Sequence, residues 1–431
     1  MIKDYFLFMK VIKNTKSLSP ISGKIVDAQI VLEDDKIYIN KKDENGKEYY
    51  CLIEKDFELY KILSNHEYIA PTLNKFFVNI SYECNSSCKL CYAANYENKK
   101  NLSLGDIKDF IQKYSKRFFI VLIGKEPTCN HDLPDILKEL SRGKNHHLLV
   151  TNGIKLADYS YLKNLKQSGL ERVVLSFNGF KSAVYETINN ADLLKVKLKA
   201  LENLKKLNIE TEIAMTTLRD INQNEILDVI NFCLSNLSWI KRFRIRTAAT
   251  IGNYIEVESL CLSELLKLMF EPMGITRQEI YNALRFSNAL DSILKRFLKN
   301  SLLQKRLCSA TFFLKHKKNK IYLIGSQFKM NSNSSIHVIL HLFREVGVIY
   351  PVLMLIRVML KVPQTLPLYR IINTWSSKYF RILPVAARCW PNKFNIDINE
   401  YSSCSSYIYD LDNPDIQYCY GNIMQEFRQG H

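Results

Sequence analysis

The sequence contains no apolar run of the roughly 20 residues that a helix needs to cross a bilayer. Its most apolar stretch, Val346 to Ile356, is eleven residues long and is interrupted by Pro351. The opening Met1-Ile2-Lys3-Asp4-Tyr5-Phe6-Leu7-Phe8 is short and charged, and no small-residue cleavage site follows it; Met9 is an alternative start. Internal repeats and low-complexity tracts are missing as well. With 47% hydrophobic and 24% charged residues, wholesale disorder is excluded. The 11 cysteines are an odd number, and without a secretory leader they argue against a disulfide framework. Reduced thiols in a cytoplasmic protein fit better.

Acidic residues are nearly absent from one segment. Between Ser292 and Ile396 there are 18 Lys and Arg against one acid, Glu345, so this stretch carries +17, the net charge of the whole chain. The apolar run lies inside it. A basic and apolar segment suits docking on the anionic inner face of a membrane, or a cavity for an acidic substrate with an apolar tail. A buried helix among solvated lysines would read the same way. No nucleic-acid-binding motif accompanies the charge, so nucleic acid is not an expected partner.

The length of 431 residues allows two or three domains. Residues 1–74 read as a small β-rich module, with strands at Lys24–Val31 and Lys36–Ile39 and turns at Asp34-Asp35 and Asn45-Gly46. From Lys75 apolar strands alternate with helical patterns. Strands are expected at Lys75–Ser81, Phe118–Ile123, His147–Thr151, Arg172–Phe177, Glu210–Thr216 and Lys241–Ile245. Helices are expected after Ser103 and near 133–142, 160–168, 191–206 and 224–235. Six such units predict an α/β fold, a partial (β/α)6 TIM-type barrel over residues 75–290. A helical, then loop-rich C-terminal extension takes residues 291–431.

In such a barrel the functional groups belong at the C-terminal ends of the strands. Cys84-Asn85-Ser86-Ser87-Cys88-Lys89-Leu90-Cys91 follows the first strand, and Gly124-Lys125-Glu126-Pro127-Thr128 the second. Thr151-Asn152-Gly153 and Ser176-Phe177-Asn178-Gly179 end the next two. The C-x3-C-x2-C loop lacks the second C-x2-C or the paired histidines that a zinc site would want. Its three thiolates can hold three irons of a cubane [4Fe–4S] cluster and leave the fourth open to an outside ligand.

With that loop, the core resembles the radical SAM superfamily, in which the open iron chelates S-adenosylmethionine (SAM). The resemblance implies a [4Fe–4S] cluster at Cys84, Cys88 and Cys91. It implies SAM contacts from Gly124 and Glu126, since this segment is similar to the family's Gly-Gly-Glu-Pro with Lys125 in place of the second glycine. Ser176 and Asn178, on alternate positions, can pair with ribose hydroxyls; Thr216, Thr217 and Arg219 can orient the SAM carboxylate. The flanks resemble the tetraether lipid synthase-like branch. The segments matching its N-terminal metal knuckle, Leu18–Lys24 and Lys42–Gly46, have lost every ligand. Cys308, Cys389, Cys404 and Cys419 can hold an auxiliary iron–sulfur cluster or remain plain thiols. Cys51, Cys129, Cys233 and Cys261 read as core.

The implied activity is reductive cleavage of SAM and attack on an unreactive C–H bond, with electrons from a flavodoxin- or ferredoxin-like donor. No catalytic side chain is singled out. The branch and the basic segment favour a lipid or an acidic amphiphile as substrate. Maturation of a ribosomal peptide and a non-catalytic iron–sulfur role are the alternatives.

Overall fold

The computed structural model describes residues 9–64, 75–94, 100–114, 119–256, 260–298, 308–317, 320–328, 335–346, 381–402, 406–409, 416–417 and 423–424. The chain begins with four antiparallel strands in sequence order, β1 (Lys10–Leu18), β2 (Ile25–Glu33), β3 (Lys36–Lys42) and β4 (Glu48–Glu54). Ile37 and Ile39 alternate inward on β3 and pack on Ala28, Ile30 and Tyr60. Asp34 and Asp35 both take positive φ, 47° and 62°, the conformation that a two-residue hairpin turn requires. β1 and β4 were not expected. The buried side of β1 is polar because it faces the C-terminal part of the chain: Thr15 donates to Asp397 at 2.5 Å and Ser17 to the Ile396 carbonyl at 2.7 Å. The turns at Leu18–Lys24 and Lys42–Gly46 are joined by a 2.5 Å bond from the Ser19 hydroxyl to the Glu44 carboxylate.

After α1 (Phe57–Ser64), six parallel strands follow in sequence order: β5 (Lys75–Ser81), β6 (Phe119–Gly124), β7 (His146–Thr151), β8 (Arg172–Ser176), β9 (Glu210–Thr217) and β10 (Ile240–Thr247). The crossovers are α2 (Leu104–Lys113), α3 (Leu133–Arg142), α4 (Tyr159–Gln167), the pair α5 (Ser182–Asn189) and α6 (Leu194–Lys206), and α7 (Ile226–Ser235). Ser103 starts α2 with a reciprocal capping box to Asp106. This is the partial (β/α)6 barrel. Its outer face packs Val78, Leu122, Leu149, Leu175, Ile213 and Phe243 into one large core with the helices. Its inner face is a smaller apolar cluster, including Val121, Leu148 and Val174, with Ala214 beside it. On that inner side β9 and β10 turn polar: Glu210, Glu212 and Thr216 alternate inward, as do Arg242, Arg244 and Arg246.

The C-terminal extension differs from its expected form. α8 (Leu262–Phe270) and α9 (Arg277–Leu298) lead to β11 (Ser309–Lys317), β12 (Lys320–Leu323), α10 (Ser335–Val346) and β13 (Ile382–Arg388). β13 lies parallel to β10, and β11 pairs antiparallel on its far side. After α11 (Ile398–Ser402), β14 (Ser406–Tyr409) lies parallel to β5 and carries β15 (Ile416–Gln417). The extension therefore adds strands at both edges, giving an 11-stranded sheet. Pro384 in β13 and the shortness of β14 obscured them. Most of the run from Val346 to Ile356 lies outside the described residues; Val346 itself is buried at the end of α10. Among the described residues no helix is long and apolar enough to cross a membrane.

Asp56 fastens the N-terminal sheet to α9. It caps α1 through the Leu59 N–H at 2.9 Å and takes Arg277 at 2.9 and 3.0 Å, with the Tyr281 hydroxyl on the same carboxylate. Burial raises its pKa, but the bonds from Arg277, Tyr281 and Leu59 outweigh this and leave it below the ordinary carboxylate range. Asp56→Asn should cost about 1.5–3 kcal/mol at neutral pH in urea denaturation. The depressed pKa makes this contribution present above the ordinary carboxylate range and lost as pH falls through the folded value. The difference between wild type and variant should therefore shrink at acid pH.

Candidate metal and cofactor site

The cysteine loop leaves the end of β5 and is pinned to two neighbours. The Lys89 N–H donates to Ile188 at the end of α5 (2.9 Å), while Cys91 and Asn253 exchange backbone bonds of 2.7 and 3.0 Å. Gly252 makes that exchange possible: at φ +67° a Cβ would lie 2.4 Å from the Cys91 carbonyl. Cys84 is exposed, and Cys88 and Cys91 are half-buried. Asn189 donates to the Cys88 sulfur at 3.1 Å, and Asn152 reaches Asn85 at 2.8 Å with Cys84 Sγ at 4.0 Å.

Although Cys84 is exposed as a residue, partial desolvation of its thiol raises its pKa, and the nearby charges of Glu126, Cys88 and Cys91 add to the rise. Burial likewise raises Cys91, with Cys88 adding to it. The thiols of Cys84 and Cys91 resist ionisation, and a bound cation would relieve this, so the three cysteines are a donor set that suits an iron–sulfur cluster. Among the described residues no three His, Cys, Asp or Glu side chains converge on one point as a single ion requires. Thiolates of a cubane each bind a different iron and need no such convergence.

The end of β6 is stitched under this loop. Lys125 and Glu126 donate their N–H groups to the carbonyls of Ser81 (2.8 Å) and Glu83 (2.9 Å). Gly124 is required there, because a Cβ would sit 2.3 Å from the Ser81 carbonyl. Lys125 is not among the positive-φ residues, so lysine fits where the family pattern has its second glycine. Glu126 is placed differently from the expected ligand contact. Only 1% exposed, its carboxylate accepts from Thr128 N–H (3.1 Å) and hydroxyl (2.6 Å), the Thr151 hydroxyl (2.6 Å) and the Asn152 N–H (2.7 Å). Those oxygens shape the strand ends.

Ser176 and Asn178 are brought to the same mouth in different states. Asn178 is buried, and its side-chain carbonyl accepts the Thr216 N–H at 3.0 Å, latching β8 to β9. The Ser176 side chain is half-buried at the strand end, while its carbonyl accepts from Lys197 at 2.9 Å. Arg219 turns elsewhere, to Glu264 at 2.7 Å, which also binds Lys55 at 2.9 Å. The cation that stands beside Thr216 is Arg246, whose Nε donates to its hydroxyl at 3.0 Å. Arg246, Asn189 and Lys197 were missed from sequence. The alternating arginines of Lys241-Arg242-Phe243-Arg244-Ile245-Arg246 were the available signal for the first.

Lys197, on α6, is 1% exposed. Burial lowers its pKa to about 8, opposed by the charges of Glu126, Cys88 and Cys84. Farther along the chain, Cys308 and Cys389 are neighbours, joined by a 3.0 Å backbone bond from Cys389 N–H to Cys308 O. They line a cavity with Glu54, Tyr60, Leu262 and Trp390, and burial pushes the Cys389 thiol up to about 12. Cys404 and Cys419, the other two of that expected set, lie outside the described residues.

Residues 78–233 match the radical SAM superfamily. The 7,8-dihydro-6-hydroxymethylpterin dimethyltransferase of Methanocaldococcus jannaschii is 30% identical over 308 residues, covering 62% of this chain and 61% of that protein. A probable GTP 3′,8-cyclase of Pyrococcus abyssi is 28% identical over 158 residues, 36% of this chain and 51% of the relative. The chain thus spans about half to three-fifths of the length of these curated relatives. Among solved structures, Streptococcus suis SuiB bound to precursor peptide SuiA superposes with a TM-score of 0.42 at 20% identity, over 52% of this chain and 50% of that one. The likeness of the flanks to the tetraether lipid synthase-like branch stays a resemblance.

Glu126→Ala would strand four donors in a closed interior. It should destabilise the protein by about 2–4 kcal/mol, read from denaturant midpoints, whereas Lys125→Gly should leave the midpoint nearly unchanged.

The part of the chain that carries the cysteine loop at the mouth of a partial parallel barrel, residues 78–233, thus matches the radical SAM superfamily.

Proposed function

We propose that the protein is a radical SAM enzyme acting on a substrate with an acidic group. The observation that carries this reading is the open C-x3-C-x2-C loop, its three thiols gathered at the C-terminal end of the parallel sheet. Cys84, Cys88 and Cys91 would hold three irons and leave the fourth for SAM. The chemistry such a group supplies is one-electron cleavage of SAM, giving methionine and a 5′-deoxyadenosyl radical that abstracts hydrogen from an unreactive C–H bond.

The protein's own part is placement and exclusion of water. The backbone beyond Gly124, held by the Glu126 network, offers carbonyls to an ammonium group. The Ser176 hydroxyl is placed for a ribose hydroxyl, and Asn178 fixes the strand end that presents it. Arg246 supplies a guanidinium at the mouth, bonded there to a neutral hydroxyl, so it suits a carboxylate. One layer deeper, Arg244 is already matched by Glu212 at 2.5 Å. The inward arginines and the +17 segment support an acidic amphiphile over a neutral substrate. A flavodoxin- or ferredoxin-like protein would deliver the electron.

Anaerobically reconstituted protein should be brown and, when reduced with excess SAM, release 5′-deoxyadenosine. Replacing Cys84, Cys88 and Cys91 together by alanine should abolish the release; continued cleavage would sink the assignment. Iron in that variant reads the tail as well. About four irons per chain would place a second cluster at Cys308, Cys389, Cys404 and Cys419, and near zero would leave them thiols.

Calorimetry separates the two arginines. Arg246→Ala should weaken SAM binding to the cluster-loaded protein about tenfold or more, as loss of a charge-assisted bond implies. Arg219→Ala should stay within about twofold on the same scale.

A further inference from the structure

Lys197 reaches from α6 to the ends of β7 and β8, where its ammonium donates to the carbonyls of Asn152 and Ser176, the latter at 2.9 Å. Tyr185 closes the space beside it, with its ring centroid 6.0 Å from Nζ. The two bridged residues are functional neighbours: Asn152 holds the cysteine loop through Asn85, and Ser176 ends β8 at the mouth.

Bridging carbonyls does not call for a charge. Asn203, on the same helix and equally buried, joins the Leu156 and Ala157 carbonyls at 3.0 and 2.8 Å with a neutral amide. Burying an ammonium instead costs several kcal/mol unless negative charge stands nearby to offset it. The groups near Lys197 that carry or can take negative charge are Glu126 and, once bound as thiolates, the sulfurs of Cys88 and Cys84.

We propose that Lys197 is a positioning residue for the cluster held at Cys84, Cys88 and Cys91, and that its fixed positive charge raises the cluster's reduction potential. The inference rests on the cluster reading given above. Reduction adds negative charge beside the ammonium, and an interior of low dielectric carries that interaction beyond contact distance.

The test is an anaerobic potentiometric titration of reconstituted full-length protein at pH 7, followed by electron paramagnetic resonance, with Lys197→Met and Lys197→Arg beside wild type. Methionine keeps the bulk and removes the charge; arginine keeps the charge. The expected result is about a tenfold fall in the one-electron reduction equilibrium for Lys197→Met, a potential about 59 mV lower, with Lys197→Arg at the wild-type value. An unmoved potential in Lys197→Met, or equal falls in both variants, overturns the proposal. If Lys197→Met takes up no iron, a normal potential in Lys197→Arg sustains it, and loss of iron from both overturns it. Wild-type protein that fails to bind iron would sink the cluster reading itself, which separates the two failures.

Discussion

The Glu126 carboxylate sits in a closed interior and is held by four hydrogen bonds, and the mouth of the sheet is organised around it. A charge buried in this way is tolerable only while its donors stay in place, so it fixes them as firmly as they fix it. Three strand ends meet through this group: β6, which carries it; β7, through Thr151 and Asn152; and β5, because the Glu126 N–H bonds to Glu83 beside the first cysteine. Asn152 then passes the constraint on to Asn85. The position of the thiols is thereby tied to hydrogen bonds that touch no sulfur.

This arrangement explains why the site reads more clearly in some residues than in others. The cysteine spacing was legible because a cluster needs thiols and little else can replace them. The barrel strands were legible because buried parallel strands are short apolar runs between helical patterns, and Lys75–Ser81 was placed to the residue. Glu126 was visible as a residue type, but its direction was not. A carboxylate at a strand end can face a ligand or turn inward, and only the positions of Thr128, Thr151 and Asn152 decide between them.

What stayed hidden depends on partners distant in sequence. β1 shows little apolar alternation because its inward Thr15 and Ser17 are satisfied by Ile396 and Asp397. Lys197 looks like one more lysine on a surface helix whose neighbours are Lys195 and Lys199. It is buried because its turn of α6 happens to lie over two strand ends. Arg219 was the nearest cation to the expected carboxylate contact along the chain, yet Glu264 in α8 draws it away and Arg246 takes the place beside Thr216.

The pairing of β14 with β5 bears on how the protein is made. The strand that launches the cysteine loop has one edge covered by β6, which follows soon after it in the chain, and the other by residues 406–409. Roughly 330 residues separate those partners, about 20–60 s of translation at ordinary elongation rates. Throughout that interval a nascent chain holds β5 with one open edge and the thiol loop already synthesised. An open edge invites wrong pairing, and exposed thiols invite oxidation. Loading of iron and sulfide is therefore best timed after residues 406–409 have emerged, and a cell making this protein quickly would need chaperone cover for an edge that those residues finally close.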